Sequence, residues 1–241
     1  MQYAVLSDVH ANLEALDAVL KDISKREINE ILFLGDAVGY GPNPNECVKR
    51  LKGRCKILLA GNHDRAAAGL MNIDYFNEYA RAAILWTRKV MTEESRSTLG
   101  ALPVMKKMDK EDLLLVHSTP KEPEAWHYLV TLWDAEINFD YFDQRICVLG
   151  HSHQPFVIER APSGEMVTYG NGANLGRNER YIINIGSVGQ PRDGDPRACY
   201  AILHDESVEF VRVRYNIKKT QMKMHEAGFP LPLIERLSRG I

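Results

Sequence analysis

The sequence predicts an α/β fold of four layers, helix, sheet, sheet and helix, on three observations. The first third of the chain alternates short, continuously apolar runs with amphipathic helical stretches, as a mostly parallel sheet covered on both faces requires. The middle turns helical, and the second half breaks into many short strands separated by Gly, Asn and Pro turns. With 241 residues, 45% of them apolar, the chain is long enough to bury one substantial core.

Residues 3–7 form the first strand-like run. Residues 13–23 then place Leu13, Leu16, Leu20 and Ile23 on one helical face, with Asn12 as a cap. A buried strand is expected at 31–34, a helix around 46–51 and a third strand at 56–59, which completes a β-α-β-α-β unit. Residues 65–102 read as a helical insert, with one helix near 77–91 and another opened by Thr92 with Glu94 in its first turn. Strands follow at 113–116, 146–149, 157–160, 166–169, 181–185, 199–203 and 208–214. A helical tail over 217–239 is interrupted by Gly228-Phe-Pro-Leu-Pro232. No repeat or low-complexity linker divides the chain, so residues 1–241 are expected to form one domain.

Composition narrows the function. Lys and Arg (30) nearly balance Asp and Glu (32), and the basic residues form no stripe that would track a phosphate backbone, which argues against a dedicated nucleic-acid binder. A small nucleotide could still bind locally. Cys47, Cys55, Cys147 and Cys199 have no C-x-x-C spacing and read as thiols of a reducing compartment. No stretch approaches membrane-spanning length and no leader pattern precedes Tyr3, so a cytoplasmic protein is expected.

Five polar motifs follow apolar strands. Asp8-Val9-His10 closes the first run, and alternation along a strand would point residues two apart to the same side. Gly35-Asp36-Ala-Val-Gly39 follows the second strand, Gly61-Asn62-His63-Asp64 the third, His117 the run Leu113-Leu-Leu-Val116, and Gly150-His151-Ser152-His153 the run 146–149. Singly, each is ordinary capping or turn chemistry. Together they set five of the eight histidines and three carboxylates just beyond strand ends, where α/β sheets build their sites. Unrelated turns have no reason to coincide there, and imidazole with carboxylate is a metal-binding set.

The ordered pattern D-x-H, G-D-x-x-G, G-N-H-D, His and G-H-x-H resembles the calcineurin-like metallophosphoesterase family. The likeness extends, less diagnostically, through Ile183-Asn-Ile-Gly-Ser-Val-Gly-Gln-Pro-Arg192, which is similar to the small stand-alone bacterial and archaeal phosphodiesterases of that family. The resemblance implies two divalent transition-metal ions. Asp8, His10, Asp36 and His153 would hold one, Asp36, Asn62, His117 and His151 the other, with Asp36 shared. A thiolate-free O/N ligand set admits manganese, iron, zinc, cobalt or nickel, and the resemblance favours manganese or iron. The implied reaction is hydrolysis of a phosphoester, with hydroxide held between the ions attacking phosphorus in line. His63 would assist the leaving oxygen, Asp64 would support His63, and Asn62 would help bind phosphoryl oxygens.

The pattern departs from the protein Ser/Thr phosphatases and diadenosine tetraphosphatases. Those carry G-D-x-V-D-R-G, where this chain has Gly39 and Tyr40 in place of Asp and Arg. One phosphate-binding cation is therefore missing, which favours a phosphodiester substrate over a dianionic monoester. Arg65 and Arg192 are the candidates for substrate contact, and Trp126, Tyr128 and Trp133 could wall a pocket. The competing readings are a phosphomonoesterase or nucleotide phosphatase, a DNA nuclease, and a scaffold that binds metal without catalysis.

Overall fold

The computed structural model describes residues 2–241. Strands β1 (Gln2–Leu6), β2 (Ile31–Phe33) and β3 (Ile57–Leu58) pair in parallel, with Val5 opposite Leu32 and Phe33 opposite Leu58. Helices α1 (Leu13–Lys25) and α2 (Pro44–Arg54) make the crossovers. The Asn12 side chain accepts from the Ala15 N–H, and Pro44 sits in the first turn of α2, where its missing N–H leaves nothing unpaired.

Three strands from late in the chain complete this sheet: β9 (Gly172–Asn174), β11 (Ala198–His204) and β12 (Ser207–Val213). Its order is β3-β2-β1-β11-β12-β9, antiparallel beyond β1, so the parallel reading holds for the first three strands alone. The second sheet comprises β4 (Met105–Met108), β5 (Leu113–Val116), β6 (Ile146–Leu149), β7 (Pro155–Arg160), β8 (Met166–Tyr169) and β10 (Arg180–Ile185). Its order is β4-β5-β6-β10-β7-β8, with parallel pairing only in β5-β6-β10.

Alternation along β1 explains why it reads as continuously apolar. Tyr3 and Val5 face the second sheet and pack with Leu115, Val148 and Ile183, whereas Ala4 and Leu6 turn to Leu16, Val19 and Val48 of α1 and α2. Truncating a residue of the seam such as Ile183 to Ala would cost about 2–5 kcal/mol. The outer face of the second sheet, Leu114, Cys147 and Ile182, is covered by α6 (Leu132–Phe139) through Ala135 and Phe139. The apolar periodicity of the sequence predicts no helix in this stretch. Its start is a capping box in which Thr131 Oγ1 accepts from the Asp134 N–H and Asp134 accepts from the Thr131 N–H.

The helical insert is α3 (Asn62–Ala68), α4 (Glu78–Val90) and α5 (Glu93–Ala101), and the tail is α7 (Ile217–Glu226) and α8 (Leu231–Arg236). Met224, Phe229, Leu233 and Leu237 of the tail pack on Ala80 and Ala83 of α4 and on Tyr40. That apolar contact docks the chain's end beside the loop after β2. Among the described residues, no helix is long and apolar enough to cross a membrane.

Candidate metal centre

The seven candidate ligands leave the two sheets at one edge. Asp8 and His10 follow β1, Asp36 follows β2, and Asn62 opens α3 just after β3. His117 follows β5, and His151 and His153 follow β6, so loops from both sheets meet across the seam. Strand alternation is not what makes them converge. The backbone turns left-handed at Asp8 (φ 54°), His10 (48°), Asp36 (58°), His151 (66°) and His153 (62°). Asp and His tolerate this region better than most residues, yet each such position costs roughly 1–3 kcal/mol and persists only where packing over-determines it.

Nitrogens and oxygens crowd one buried volume. His153 Nε2 lies 3.3 Å from Asp8 Oδ1, His10 Nε2 3.7 Å from Asp8 Oδ1 and 3.7 Å from Asp36 Oδ2, and His117 Nε2 3.5 Å from the same Asp36 oxygen. Asp36 therefore belongs to two groups, one with His10 and His63, the other with His117 and His151, while Asp8, His10 and His153 form a third. None of the four cysteines enters these groups.

The outer nitrogens of the four candidate-ligand histidines, His10, His117, His151 and His153, each face a carbonyl, which can only accept. Val38 O takes His10 Nδ1 (3.1 Å), Leu34 O takes His117 Nδ1 (3.1 Å), Gln190 O takes His153 Nδ1 (2.6 Å) and Trp126 O takes His151 Nε2 (2.9 Å). The inner nitrogens are thereby left as lone pairs. Those of His10 and His153 face each other at 3.1 Å, and His117 Nε2, Asp8 Oδ1 and Asn62 Oδ1 are buried without a hydrogen-bond partner. Facing lone pairs beside carboxylate oxygens repel unless a cation or proton lies between them. Ligands about 2.1 Å from one ion sit roughly 3.0–3.4 Å apart in octahedral or tetrahedral arrangement, close to the spacings seen here. The residues fit metal ions.

Electrostatics agree. Burial opposes charge on Asp8 and Asp36, yet His153 beside the first and His117 beside the second hold both carboxyls well below the usual range. His117 is pushed up to about 9, against burial, by Asp36, so without a cation its inner Nε2 is the one that takes a proton in place of a lone pair. Burial drives His63 down to about 4 and His151 to about 3.

Asp64 does something other than support His63. Its Oδ2 accepts from the backbone N–H of Asp36 (2.8 Å) and Gly61 (3.1 Å), and its Oδ1 from Val38 (3.2 Å). No hydrogen bond or ion pair joins it to the His63 ring. Burial and the neighbouring Asp36 push its carboxyl up to about 7 against the pull of those amides. The expected helper of the imidazole is thus a staple between the loops after β2 and β3. His63 is held instead by its backbone N–H on Asp36 Oδ1 (2.9 Å) and by the rings of Tyr40, His10 and Phe76 at 4.6, 4.8 and 5.1 Å. Its Nδ1 has no partner. A side chain at position 39 would strike this ring, since a Cβ there would lie 2.6 Å from His63 Nδ1 and Gly39 has φ +130°. The space that an Asp would need is filled by His63.

Beside the ligands lies a cleft of about 390 Å³ lined by Asn62, His63, His151, Tyr40, Phe76, Trp126 and Tyr128, with Tyr128 stacked on His151 at 4.2 Å. Trp133 is not among its walls and is 68% exposed on α6. Arg65 is also placed away from the ligands: its Nη1 donates to Gly100 O at the end of α5, because α3 turns it toward that helix. Arg192 sits closer, with its guanidinium 5.8 Å from the Tyr40 ring.

Several supporting groups escaped the motif reading. Asn184 Nδ2 donates to Gly150 O (2.5 Å) and Ser152 Oγ (2.9 Å), and Ser187 Oγ donates to Asp8 O (2.8 Å) while accepting from Gln190 N–H (2.8 Å). All lie in the stretch 183–192, whose polar residues inside an apolar strand and turn were the available signal. Arg236 carried none, and Tyr40 stood out only as the residue in place of Arg.

The family model of the calcineurin-like phosphoesterase superfamily domain matches residues 1–207. An uncharacterized protein of Methanocaldococcus jannaschii is 42% identical over 241 residues, covering 98% of this chain and 97% of its own. A metallophosphoesterase from Sphaerobacter thermophilus is 41% identical with a TM-score of 0.88, covering 100% of this chain and 99% of that one. A hypothetical protein from Pyrococcus horikoshii, at 19% identity, shares the fold with a TM-score of 0.80 over 100% of this chain and 98% of its own.

Proposed function

The chain belongs to the calcineurin-like phosphoesterase superfamily, and from that premise we propose that it is a dinuclear metal-dependent phosphoesterase that prefers phosphodiesters. The observation that carries the reading is the sharing of Asp36 between donor groups, together with the fixing of the outer nitrogens of His10, His117, His151 and His153 by backbone carbonyls. Asp8, His10, Asp36 and His153 would hold one ion, and Asp36, Asn62, His117 and His151 the other. When bound, two divalent ions supply positive charge for the phosphoryl oxygens and acidify the attacking water.

The remaining work falls to the chain. Asn62, whose buried Oδ1 has no hydrogen-bond partner and would face a cation, would offer its amide N–H groups to a phosphoryl oxygen. His63, buried and neutral, offers an N–H to the leaving oxygen from a ring that three aromatic neighbours hold still. Asp64 keeps the loops of Asp36 and Gly61 in register and so acts through position. A diester is favoured because its second ester group needs room outside the ligands, which the cleft of Trp126 and Tyr128 supplies.

The test compares kcat/KM for bis-p-nitrophenyl phosphate and p-nitrophenyl phosphate with each of manganese, iron, zinc, cobalt and nickel. The diester should win with the best metal. A clear preference for the monoester would make the protein a phosphatase, and no turnover of either with any metal would favour a non-catalytic scaffold.

A further inference from the structure

Arg192, in the loop after β10, and Arg236, the last residue of α8, converge on one face of the site. Their guanidinium carbons lie 5.8 and 5.0 Å from the centroid of the Tyr40 ring. One neutral acceptor serves both: Gln190 Oε1 takes a hydrogen bond from Arg192 Nη2 at 3.1 Å and another from Arg236 Nη2. Both side chains are half-buried, and the Nε of each is enclosed without a partner. Among the described residues no carboxylate pairs with either, whereas Arg26, Arg50 and Arg212 all have an Asp partner.

Two half-buried cations sharing one neutral oxygen are unfavourable unless an anion joins them. Guanidinium forks suit the oxygens of a phosphate, and donors left unpaired in the free protein are what such a ligand would engage. The place is defined as well. Tyr40 is one ring removed from His63 and His10, at 4.6 and 4.8 Å, and it forms part of the cleft wall. Gln190 ties the two sites together, because its backbone carbonyl fixes His153 while its side chain fixes the arginines. Arg236 lies beyond residue 207, outside the family match, so the tail adds this feature to the shared domain.

We propose that Arg192 and Arg236, stacked on Tyr40, form a clamp for a second phosphate of the substrate, adjoining the phosphoryl group that is hydrolysed. This rests on the phosphoesterase reading and deepens it: the substrate class is a phosphodiester that carries a further phosphate on one of its ester groups. Tyr40 then stands where the protein Ser/Thr phosphatases and diadenosine tetraphosphatases have Arg because a flat ring can carry two guanidiniums brought from elsewhere in the chain.

The experiment uses the metal-loaded protein and two chromogenic diesters, the p-nitrophenyl ester of thymidine 5′-phosphate with and without a 3′-phosphate. Wild type should show kcat/KM at least about tenfold higher on the form with the extra phosphate, and Arg236→Gln and Arg192→Gln should each bring that ratio close to one, with Arg236→Lys retaining part of it. Equal rates of wild type on the two substrates, or an undiminished ratio in both Gln variants, overturns the clamp. Hydrolysis of neither substrate counts against the phosphodiester reading, and thermal shifts with inorganic pyrophosphate then decide the clamp alone. Stabilisation of wild type that is lost in Arg236→Gln supports it, and equal shifts, or none in either protein, overturn it.

Discussion

Replacing Asp64 separates a staple from a catalytic partner. Three buried backbone N–H groups converge on its carboxylate, those of Asp36 and Gly61 on one oxygen and that of Val38 on the other. In Asp64→Asn, the amide oxygen can keep the first pair, but the NH2 group meets the Val38 N–H donor to donor. Losing one hydrogen bond and leaving that N–H unpaired costs about 1–3 kcal/mol. In Asp64→Ala all three amides lose their acceptor, and at about 1–3 kcal/mol each, less what entering water restores, the loss is about 3–6 kcal/mol. For a chain of this size 1 kcal/mol moves Tm by about 2–4 °C, so the Ala variant should melt at least about 6 °C lower and the Asn variant fall between it and wild type. Circular dichroism melts with and without chelator measure this, and elemental analysis of the folded Asn variant follows its metal content. If Asp64→Ala melts within about 2 °C of wild type while turnover collapses, the staple is wrong and the carboxylate serves His63 after all.

Asp36→Asn should lower metal content at both positions, because its Oδ2 faces His10 and His117 alike, and mass spectrometric metal analysis showing one ion retained at full occupancy would refute the sharing. His63→Ala should keep its metal yet lose turnover, with the greater loss on alkyl than on nitrophenyl leaving groups, since the more concentrated charge of a departing alkoxide gains more from the N–H hydrogen bond than nitrophenolate does; equal losses would remove the ring from that role. Glu14 ties α1 to α7 through Lys223 at 2.6 Å and Lys219 at 3.3 Å, and these cations hold its carboxyl below its ordinary 4.5 in spite of burial. Its folded value being depressed, the contribution is complete above pH 4.5 and fades as pH falls through the folded value, so urea melts of Glu14→Gln and wild type should differ at pH 7 and converge in acid.

What could be read in advance follows from how local the physics is. β1, β2, β5 and β6 were legible because strands buried on both faces must be apolar throughout, and the ligands follow them at once in sequence. β4 was not, since three of its four residues, Met105, Lys106 and Lys107, are exposed and show no pattern, and β9 is a three-residue edge containing Gly172. The aromatic residues of 121–141 hid α6, although Thr131 and Asp134 spell its start. At the site, residue types pointed to the candidate ligands but could not tell where a carboxylate points. Asp64 was therefore given the nearest imidazole in sequence, when its geometry had assigned it three amides. The left-handed turns at Asp8, His10, Asp36, His151 and His153 leave no compositional trace, since no glycine marks them. Arg236 meets Tyr40 and Arg192 only through the docking of the tail on α4, which no motif encodes.

The convergence of ligand loops from two sheets also sets a clock on folding. His10 and His153 stand 143 residues apart in sequence and face each other at 3.1 Å, one beyond a strand of the first sheet and the other beyond a strand of the second. Each sheet can zip up its own neighbouring strands, but neither carries all the ligands proposed for either ion. High affinity for a cation can arise only once the seam between them has closed over Val5, Leu115 and Val148. In refolding, a coloured ion such as cobalt should acquire its bound spectrum after far-ultraviolet dichroism has already recovered, and the interval between the two signals is the time the halves spend searching for each other.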